Sequence, residues 1–274
     1  MVSLKEIKTL CHQYSIQPLR RRGQNFLINQ GIIDKIIKAA DLNKQDTILE
    51  IGAGLGTLTK AIAKKVKKVI AVEIDRELVK ILNQELNSFK NIKILATDIR
   101  QFDPREYNLK NYKVVANLPF NVTGLVLKKF LSFSQKPDLM VLILQKEVGE
   151  RIIAQPPQMS RLSVMVQFYG QPQIIAQVKK NNFWPCPQVD SVILKIDLNK
   201  KQVKNISSDF IEKFFNLVKA GFSSPRKYLI NNLIKHRLLD KTTGQKIFLK
   251  TNLNFKIRAQ ELSVVQWIDL AKKI

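Results

Sequence analysis

Short apolar runs alternate with helical segments between residues 47 and 154. The apolar runs are bounded by polar residues and lie at 47–51, 68–74, 92–96, 112–116 and 138–144. Segments whose apolar residues recur at helical spacing lie at 57–65, 75–87, 121–134 and 146–154. This alternation predicts an α/β domain with a mostly parallel sheet and helices on both faces. Ligands of such a sheet bind beyond the carboxyl ends of its strands.

The segments that flank this region have less regular patterns. Residues 26–40 have apolar positions at helical spacing and predict an amphipathic helix that follows a basic arm. Segment 162–169 fits a helix and a strand equally well. Segments 173–179 and 190–198 predict closing strands.

The last quarter of the chain differs in pattern and in charge. From about residue 200 every pattern is helical, which predicts a Rossmann-like domain at 1–200 and a small all-helical domain at 201–274. The region from residue 200 on has 16 Lys or Arg against five acids, and the whole chain has 46 against 22, a net charge of +24. This excess predicts a polyanionic partner. Charge alone does not distinguish RNA from DNA, from an anionic membrane or from the bias of a Lys-rich proteome.

The sequence disfavours several other classes of protein. No run of about eighteen apolar residues is present, and the N-terminus has no secretory signal, so we expect a cytoplasmic protein without a membrane partner. Cys11 and Cys186 have no CxxC spacing, and His12 and His236 lie in no metal-ligand pattern. We therefore expect neither a disulfide nor a metal site.

A glycine-rich loop follows the first strand of the alternating region. Residues 50–56, Glu-Ile-Gly-Ala-Gly-Leu-Gly, connect that strand to a helix, and glycines let a backbone turn sharply and approach a ligand closely. Glu73 ends the second strand at the spacing expected for hydrogen bonds with ribose hydroxyls. Gly52, Gly54 and Glu73 therefore predict a cofactor that contains adenosine, with a simple tight turn as the alternative for the glycines.

Two cofactors fit this layout, NAD and S-adenosylmethionine. Dinucleotide sites space their glycines as G-x-G-x-x-G, whereas this loop reads G-x-G-x-G after Glu50, an acid with no role beside a pyrophosphate. The spacing favours S-adenosylmethionine. At the end of the third strand, Asp98 can accept a hydrogen bond from the adenine amine of the same cofactor, and a helix cap is its alternative role.

The fourth strand runs directly into Asn117-Leu118-Pro119-Phe120. The exocyclic amine of adenine is a poor nucleophile because its lone pair is delocalised into the ring. The Asn117 side-chain oxygen and the carbonyl at Pro119 or just before it can accept the two amine hydrogens, which directs the lone pair at a methyl donor without a strong base. Phe120 is placed to stack on the base. A turn that ends a strand is the alternative interpretation.

The other face of the base needs a second wall. Phe183 lies in a proline-stiffened segment at 182–187 and can supply that wall, although a rigid connector is also compatible with the pattern. A base enclosed in this way has left any helix it occupied, which favours an unpaired or easily flipped nucleotide of RNA. The candidate catalytic residues are therefore Asn117, Pro119, Phe120 and Phe183.

Taken together, these motifs resemble the family of rRNA adenine dimethyltransferases, and specifically its bacterial small-subunit branch. The resemblance extends over nearly the whole chain, through residues 21–27, 50–56, 72–75, 117–121, 144–148, 161–164, 185–191, 222–233 and 258–263. Large-subunit relatives share the first half but match less well from Gln145 onward. The small-subunit branch is therefore the better match.

The resemblance implies a class I S-adenosylmethionine-dependent methyltransferase. Its implied activity is dimethylation of the exocyclic amines of two adjacent adenosines near the 3′ end of 16S rRNA during ribosome biogenesis. Its implied partner is small-subunit rRNA in a pre-ribosomal particle, with the helical domain binding RNA and the protein acting as a monomer. The cofactor site implied by the resemblance is lined by Asn25, Leu27, Gly52, Glu73, Asp98 and Asn117.

The chain departs from the family pattern at three places. Phe120 replaces the usual Tyr, Arg22 replaces an aromatic residue, and Val122-Thr123-Gly124 replaces Ile-Ser-Thr. These changes bear on the efficiency of the second methylation. Two other functions compete with the methyltransferase hypothesis: a binding-only assembly factor, disfavoured by the intact glycine loop with Glu73 and Asn117, and an NAD-dependent dehydrogenase, disfavoured by the glycine spacing and the charge.

Overall fold

The computed structural model of the chain describes residues 3–18, 23–119, 122–199 and 206–274. The chain forms two compact units. Unit 1 consists of Met1–Gly149 and Gln173–Asn199, and unit 2 consists of Glu150–Pro172 and Lys200–Ile274. The chain therefore leaves unit 1 for residues 150–172 and then returns to complete it.

The described strands form a seven-stranded sheet and a two-stranded sheet. In chain order they are β1 Phe26–Leu27, β2 Thr47–Ile51, β3 Lys68–Glu73, β4 Ile92–Ala96, β5 Tyr112–Asn117, β6 Leu139–Gln145, β7 Gln171–Val178, β8 Phe183–Trp184 and β9 Ser191–Asp197. The large sheet has the order β4-β3-β2-β5-β6-β9-β7, and β1 pairs with β8. The five strands β4, β3, β2, β5 and β6 are each parallel to their neighbours, whereas β9 runs antiparallel to β6. The predicted mostly parallel sheet is confirmed.

The helices fall into two groups. Those of unit 1 are α1 Leu4–Gln13, α2 Gln30–Ala40, α3 Thr57–Ala63, α4 Arg76–Glu85 and α5 Thr123–Ser132, and α6 Lys146–Ile153 starts in unit 1 and ends in unit 2. Those of unit 2 are α7 Arg161–Tyr169, α8 Ser208–Gly221, α9 Leu229–Lys235, α10 Lys241–Lys250 and α11 Val264–Lys273. The predicted helical C-terminal region is therefore present.

The segment that fitted both helix and strand is helix α7. Ser160 caps its first turn, because the Ser160 hydroxyl accepts from the Ser163 backbone N–H at 3.1 Å and the Ser160 N–H donates to the Ser163 hydroxyl at 2.6 Å. These two hydrogen bonds satisfy the backbone N–H groups of Ser160 and Ser163, which have no carbonyl partner at the start of a helix. The capping residues therefore favour a helix in a segment whose apolar spacing fits a helix and a strand equally well.

The predicted helix over 26–40 is wrong in its first four residues. Phe26 and Leu27 form strand β1 and pair with Trp184 and Phe183. Asn29 then caps helix α2, since its side-chain oxygen accepts from the Gly31 N–H at 2.8 Å. An N-cap residue has extended backbone angles, so the helix cannot begin before it.

The core of unit 1 lies between its sheet and the helices that cover it. Ile33 and Ile36 of α2 and Ile62 of α3 are buried with Val69 and Val115 of the sheet. A second cluster joins α1 to α4 through Ile7, Cys11, Leu78 and Ile81, with Phe26 and Leu55. Burial of these apolar side chains holds the carboxyl ends of the strands in a fixed arrangement.

The core of unit 2 includes residues that the sequence assigns to the first domain. Met159, Val164 and Phe168 are buried with the apolar residues of the C-terminal helices, and the Phe168 ring stacks on that of Phe214 with centroids 4.3 Å apart. The segment 150–172 therefore groups with the helices rather than with residues 1–149. The physical reason is that α7 presents its apolar residues to α8, a long-range pairing that local spacing does not specify.

Candidate functional site

The predicted site residues lie mainly where four parallel strands end. Register pairs Ile51 of β2 with Val72 of β3 and with Ala116 of β5, and it pairs Glu73 with Ala96 of β4. The carboxyl ends of these strands therefore meet at one edge of the sheet. This is the edge at which an open α/β sheet binds its ligands.

The glycine loop turns toward this edge directly after β2. Gly52 and Gly54 have positive φ angles of +75° and +59°, a conformation that side chains with a Cβ rarely adopt. A Cβ atom at Gly54 would lie only 3.3 Å from the Phe26 ring, and one at Gly52 would lie 3.7 Å from the Asn117 carbonyl oxygen. The two glycines thus keep the loop backbone close to Phe26 and Asn117.

Glu73 is joined to the glycine loop by hydrogen bonds. Its Oε2 accepts from the Gly54 N–H at 2.9 Å, and its Oε1 accepts from the N–H groups of Ile74 and Asp75, each at 2.9 Å. Burial raises the pKa of Glu73, while these three backbone donors lower it. A carboxylate has about four acceptor positions, so one remains for a ligand hydroxyl.

Asn117 is oriented by the segment that precedes β1. Its Nδ2 donates to the Asn25 backbone carbonyl oxygen at 3.0 Å. Because the amide nitrogen is used in this bond, the side-chain oxygen Oδ1 is left as the outward acceptor. The sequence predicts an acceptor at Asn117, but it does not reveal that the Asn25 carbonyl fixes the orientation.

The carbonyl groups after Asn117 differ in their partners. The Pro119 carbonyl oxygen accepts from the Val122 N–H at 3.1 Å. The Leu118 N–H donates to the Ile143 carbonyl oxygen at 3.1 Å, and no donor from the described part of the chain reaches the Leu118 carbonyl oxygen. Leu118 therefore offers the freer carbonyl of the two. Phe120 lies outside the described residues, as does Arg22.

Asp98 follows β4 and is held by a neighbouring arginine. Its Oδ1 accepts from the Arg100 backbone N–H at 2.8 Å, and its Oδ2 accepts from Arg100 Nε at 2.8 Å. These bonds to Arg100 lower the pKa of Asp98, so the carboxylate is ionised. Lys129 Nζ in turn donates to the Arg100 carbonyl oxygen at 2.6 Å. Asp98 therefore lies on the predicted edge, with its acceptor capacity shared with Arg100.

Leu27 and Phe183 lie opposite each other in the β1·β8 pair. Their side chains are 3% and 4% exposed and belong to the hydrophobic core of unit 1. Phe183 therefore does not present an open ring face in this structure, in contrast to the wall predicted from the sequence. The strand pairing turns the ring inward, and a two-residue strand of this kind has no sequence signature.

Two further side chains at this edge were missed by the sequence analysis. Ile74 follows Glu73 and remains 59% exposed although it is large and apolar. Phe26 packs on Gly54 from the segment before β1. The signal for Ile74 was available, since an apolar residue directly after the end of a parallel strand lies at the edge where such a sheet binds its ligands.

Glu50 lies in β2 at the start of the glycine loop and is 1% exposed. The pKa of this carboxyl is raised to about 8, mainly by burial, with the Thr59 side chain lowering it and the charge of Glu73 raising it. Its Oε2 atom has no hydrogen-bond partner among the described residues. Glu50 is therefore protonated at neutral pH, when a charge there would be both buried and close to a second carboxylate.

Unit 2 contains a basic cavity of about 550 Å³. The side chains that line it are mainly cationic, with one aromatic and one amide: Arg226, Lys227, Tyr228, Asn231, Lys235 and Arg258. Four cations around one concave surface attract phosphate groups. In the described ranges, no cluster of three or more His, Cys, Asp or Glu side chains could hold a metal ion.

Neither cysteine of the chain is paired. Cys11 is buried in the α1 cluster and Cys186 is exposed. Of the helices in the part of the chain that is described, none is both long and apolar enough to cross a membrane.

Comparison with known proteins gives consistent matches over nearly the whole chain. The family model described as ribosomal RNA adenine dimethylase matches residues 19–272. A curated relative from Dehalococcoides mccartyi, named ribosomal RNA small subunit methyltransferase A, is 37% identical over 96% of this chain and 91% of its own length. One of the same name from Clostridium botulinum is 35% identical over 96% of both chains.

Two solved structures have the same fold. The 23S rRNA methyltransferase ErmE has a TM-score of 0.75 at 22% identity and covers 91% of this chain and 99% of its own. A dimethyladenosine transferase from Plasmodium falciparum has a TM-score of 0.75 at 24% identity and covers 89% of this chain and 95% of its own. These likenesses establish the methyltransferase Rossmann-like fold predicted from the alternation of strands and helices.

Proposed function

We propose a function for this chain that starts from its family: the chain belongs to the ribosomal RNA adenine dimethylase family. It is an enzyme that dimethylates adenine in rRNA. In our proposal it acts on two adjacent adenosines near the 3′ end of 16S rRNA, with S-adenosylmethionine as methyl donor. The name shared by its curated relatives supports the small subunit as the substrate.

The residues at the strand edge fit S-adenosylmethionine. Glu73 keeps one acceptor position for a ribose hydroxyl, and Asp98 keeps one for the adenine amine. Exposed Ile74 offers an apolar surface to the adenine ring. Gly52 and Gly54 keep the loop free of side chains that would occupy this space. When bound, the cofactor supplies a methyl group attached to a positively charged sulfur.

Asn117 and Leu118 polarise the target amine in this proposal. Asn117 Oδ1 accepts one amine hydrogen, and the Leu118 carbonyl oxygen accepts the other, since the Pro119 carbonyl is already bonded to Val122. Pro119 fixes the backbone between them. The nitrogen lone pair is then directed out of the ring plane toward the donor methyl. The new N–C bond would form as the S–C bond of the bound cofactor breaks, with the electron pair of that bond staying on sulfur, and one amine proton would leave through the oxygen that holds it. Such positioned acceptors are worth several kcal/mol in a site that excludes water.

Phe120 and Phe183 enclose the base in this proposal. Phe120 follows Pro119 directly and stacks on one face of adenine, at roughly 1–3 kcal/mol for a stacked base. The role of Phe183 requires its side chain to turn out of the core when the base enters, because it is buried in the free protein. The monomethylated amine has one hydrogen left, so it must rotate and meet a second cofactor molecule.

Unit 2 supplies the RNA contacts in this proposal. Its basic cavity is lined by Arg226, Lys227, Lys235 and Arg258, whose side chains match phosphate groups in charge. Single-site docking on a pre-ribosomal particle requires no second copy of the chain, so we propose that a monomer acts on the particle in the cytoplasm. The contacts of unit 2 set the position of the particle, and the strand edge of unit 1 does the chemistry.

The hydrogen bond from Asn117 Nδ2 to the Asn25 carbonyl is the observation on which the proposal chiefly depends. The test is transfer of labelled methyl from S-adenosylmethionine to small ribosomal subunits that lack these methyl groups, followed by mapping of the modified bases. We expect dimethyladenosine at two adjacent adenosines, lost in Asn117→Ala and kept in Asn83→Ala, a change at an exposed asparagine of α4. Transfer to large-subunit RNA alone, or transfer to neither, would contradict the proposal.

A further inference from the structure

The amino-terminal edge of the parallel sheet presents a group of exposed lysines. Register pairs Thr47 with Lys68 and with Tyr112, and it pairs Val69 with Ile92, so β2 to β5 all begin at this edge. The exposed lysines that lie in the connections to β2, β3 and β4, or at the first residue of β3, are Lys44, Lys64, Lys65, Lys67, Lys68 and Lys90. We call these six residues the edge lysines.

Hydrogen bonds join the three connections that contain the edge lysines. Lys44 Nζ donates to the Lys64 carbonyl oxygen at 2.8 Å, which joins the connection before β2 to the one before β3. Asn91 Nδ2 donates to the carbonyl oxygens of Ala63 and Val66 at 2.8 and 3.1 Å, which joins the connection before β4 to the same segment. The edge lysines therefore lie on one continuous surface.

The charges of the edge lysines are not compensated by nearby acids. Within the described ranges, none of the six forms an ion pair. Three aspartates lie at the same edge: Asp46 is bonded to Lys113 at 2.8 Å, and neither Asp41 nor Asp138 forms an ion pair with any of the six lysines in the described ranges. A surface with six such cations attracts a polyanion, and the regular charge of an RNA backbone is complementary to it.

The edge lysines lie far from the candidate site. Strand β3 has six residues and runs from Lys68 at this edge to Glu73 at the other. At about 3.3 Å per residue it separates the two edges by about 20 Å. One nucleotide cannot reach both edges, so any phosphates that contact the edge lysines belong to nucleotides other than the one that enters the site.

We propose that the edge lysines form a second RNA-binding surface, which binds the phosphate backbone of an rRNA segment about 20 Å from the methylated adenosines. The proposal rests on the proposed function for the identity of the RNA. Contacts on two opposite edges of unit 1 let a folded ribosomal particle hold the domain between two of its segments. Binding at the edge lysines depends on charge and not on sequence, because phosphates are the groups contacted.

The test compares three variants of the full-length protein in binding to small ribosomal subunits at several salt concentrations. The first changes Lys64, Lys65, Lys67 and Lys68 to Gln, and the second changes the same four residues to Arg. The third changes four exposed lysines elsewhere in unit 1 to Gln: Lys5, Lys8, Lys35 and Lys128. The first and third variants lose the same net charge, so only the place of the charge differs.

We expect the first variant to bind about tenfold more weakly near 0.1 M salt, with the slope of log affinity against log salt reduced by about 2. The Arg variant should bind like the unchanged protein, and the scattered variant should lose less than threefold. Equal losses in the first and third variants would show that only total charge matters, which overturns the proposal.

Two further measurements distinguish RNA from ribosomal protein as the partner, and failure of this proposal from failure of the proposed reaction. Repeating the measurement with protein-free 16S rRNA should reproduce the loss, whereas a loss seen only with intact subunits would assign the surface to a ribosomal protein and overturn the proposal. Cofactor binding by calorimetry should be unchanged in all three variants. If methyl transfer itself is absent while the binding differences persist, the proposed reaction fails and the second surface stands.

Discussion

The Asn117 side chain lies at the end of β5 with its nitrogen bonded to the Asn25 carbonyl oxygen. This single bond decides which end of the amide faces the crevice. An aspartate at the same place keeps an acceptor oxygen but has no N–H for the Asn25 carbonyl, so its orientation is lost and its charge lies beside a carbonyl dipole. The residue type is therefore required for its donor as well as for its acceptor.

Substitution of Asn117 tests whether its donor and its acceptor are both required. We expect Asn117→Ala to lower kcat by about 10³ and Asn117→Asp by about 10², since removal of one preorganised polar group from a reacting site costs 10²–10³. The measurement is single-turnover methyl transfer to small subunits. Full activity of Asn117→Asp would show that the bond to Asn25 does not orient the side chain.

Asp98 has a matched control nearby in the sequence. Asp98 and Arg100 form an ion pair two residues apart, and Asp103 and Arg105 form one with the same spacing. We expect Asp98→Ala to weaken binding of the adenosine-containing cofactor by about tenfold, because a hydrogen bond to a charged group is worth about 1.5–3 kcal/mol and Asp98 is partly exposed.

Calorimetric titration with S-adenosylmethionine measures this effect. Asp103→Ala removes an equivalent ion pair away from the strand edge and should leave the affinity unchanged. If Asp98→Ala and Asp103→Ala bind S-adenosylmethionine with equal affinity, Asp98 does not contact the cofactor.

Glu50 predicts a pH dependence of stability. Its pKa is raised to about 8, whereas an ordinary glutamate titrates near 4.5. Between these values the folded chain keeps the proton and the unfolded chain has lost it, so unfolding releases a proton and stability falls as pH rises. At roughly 1.4 kcal/mol per pKa unit, Glu50 lowers stability by a few kcal/mol across this range.

Urea unfolding at pH 5, 7 and 9 measures the contribution of Glu50. The difference in unfolding free energy between Glu50→Gln and the unchanged protein should increase with pH up to about 8 and then level off. Glu85 is the opposite case, because Lys60 lowers the pKa of its carboxyl. Above the ordinary pKa of glutamate, Glu85→Gln should therefore be less stable than the unchanged protein. If the unfolding free energies of Glu50→Gln and the unchanged protein differ by the same amount at all three pH values, the raised pKa of Glu50 is contradicted.

At the scale of elements, the sequence predicts the strands of the parallel part of the sheet well and the short β1·β8 pair poorly. Strands β2 and β4 have the predicted bounds, because each is an apolar-rich run between polar residues, although β2 is buried and β4 lies at the edge of the sheet. The glycine loop and Glu73 follow from the same pattern. Strand β8 has two residues and depends on pairing with β1, so no local signal specifies it. The inward-facing ring of Phe183 could not be predicted for that reason.

The first residue of α2 can be tested by the sign of the stability change in Asn29→Ala. If the helix ran from residue 26, Asn29 would be internal, and Asn29→Ala would stabilise the protein through helix propensity. In the structure Asn29 is the N-cap, and its Nδ2 also donates to Asn182 Oδ1 at 2.7 Å. We therefore expect Asn29→Ala to destabilise the protein by about 1 kcal/mol, measured as a lower urea midpoint.

At the scale of the molecule, the division into units changes how RNA binding can be tested. Deletion of residues 200–274 is the obvious experiment for a basic C-terminal domain. However, Met159, Val164 and Phe168 belong to the core of unit 2, so this deletion would leave their apolar side chains without the helices that bury them. Loss of binding after such a deletion would not separate a lost contact from a damaged fold, and point changes are required.

The basic cavity of unit 2 offers those point changes. We expect Arg226→Ala with Lys227→Ala to weaken binding to small subunits and to reduce the salt slope by about 2, since each lost phosphate contact removes about 0.7–0.9 from the slope. Lys272→Ala with Lys273→Ala removes the same charge at the chain end and should change the slope less. Equal slopes for both pairs would mean that the cavity contributes only its share of the total charge of +24. A slope that falls only for the cavity pair would locate the contacts, because screening of the total charge acts on both pairs alike.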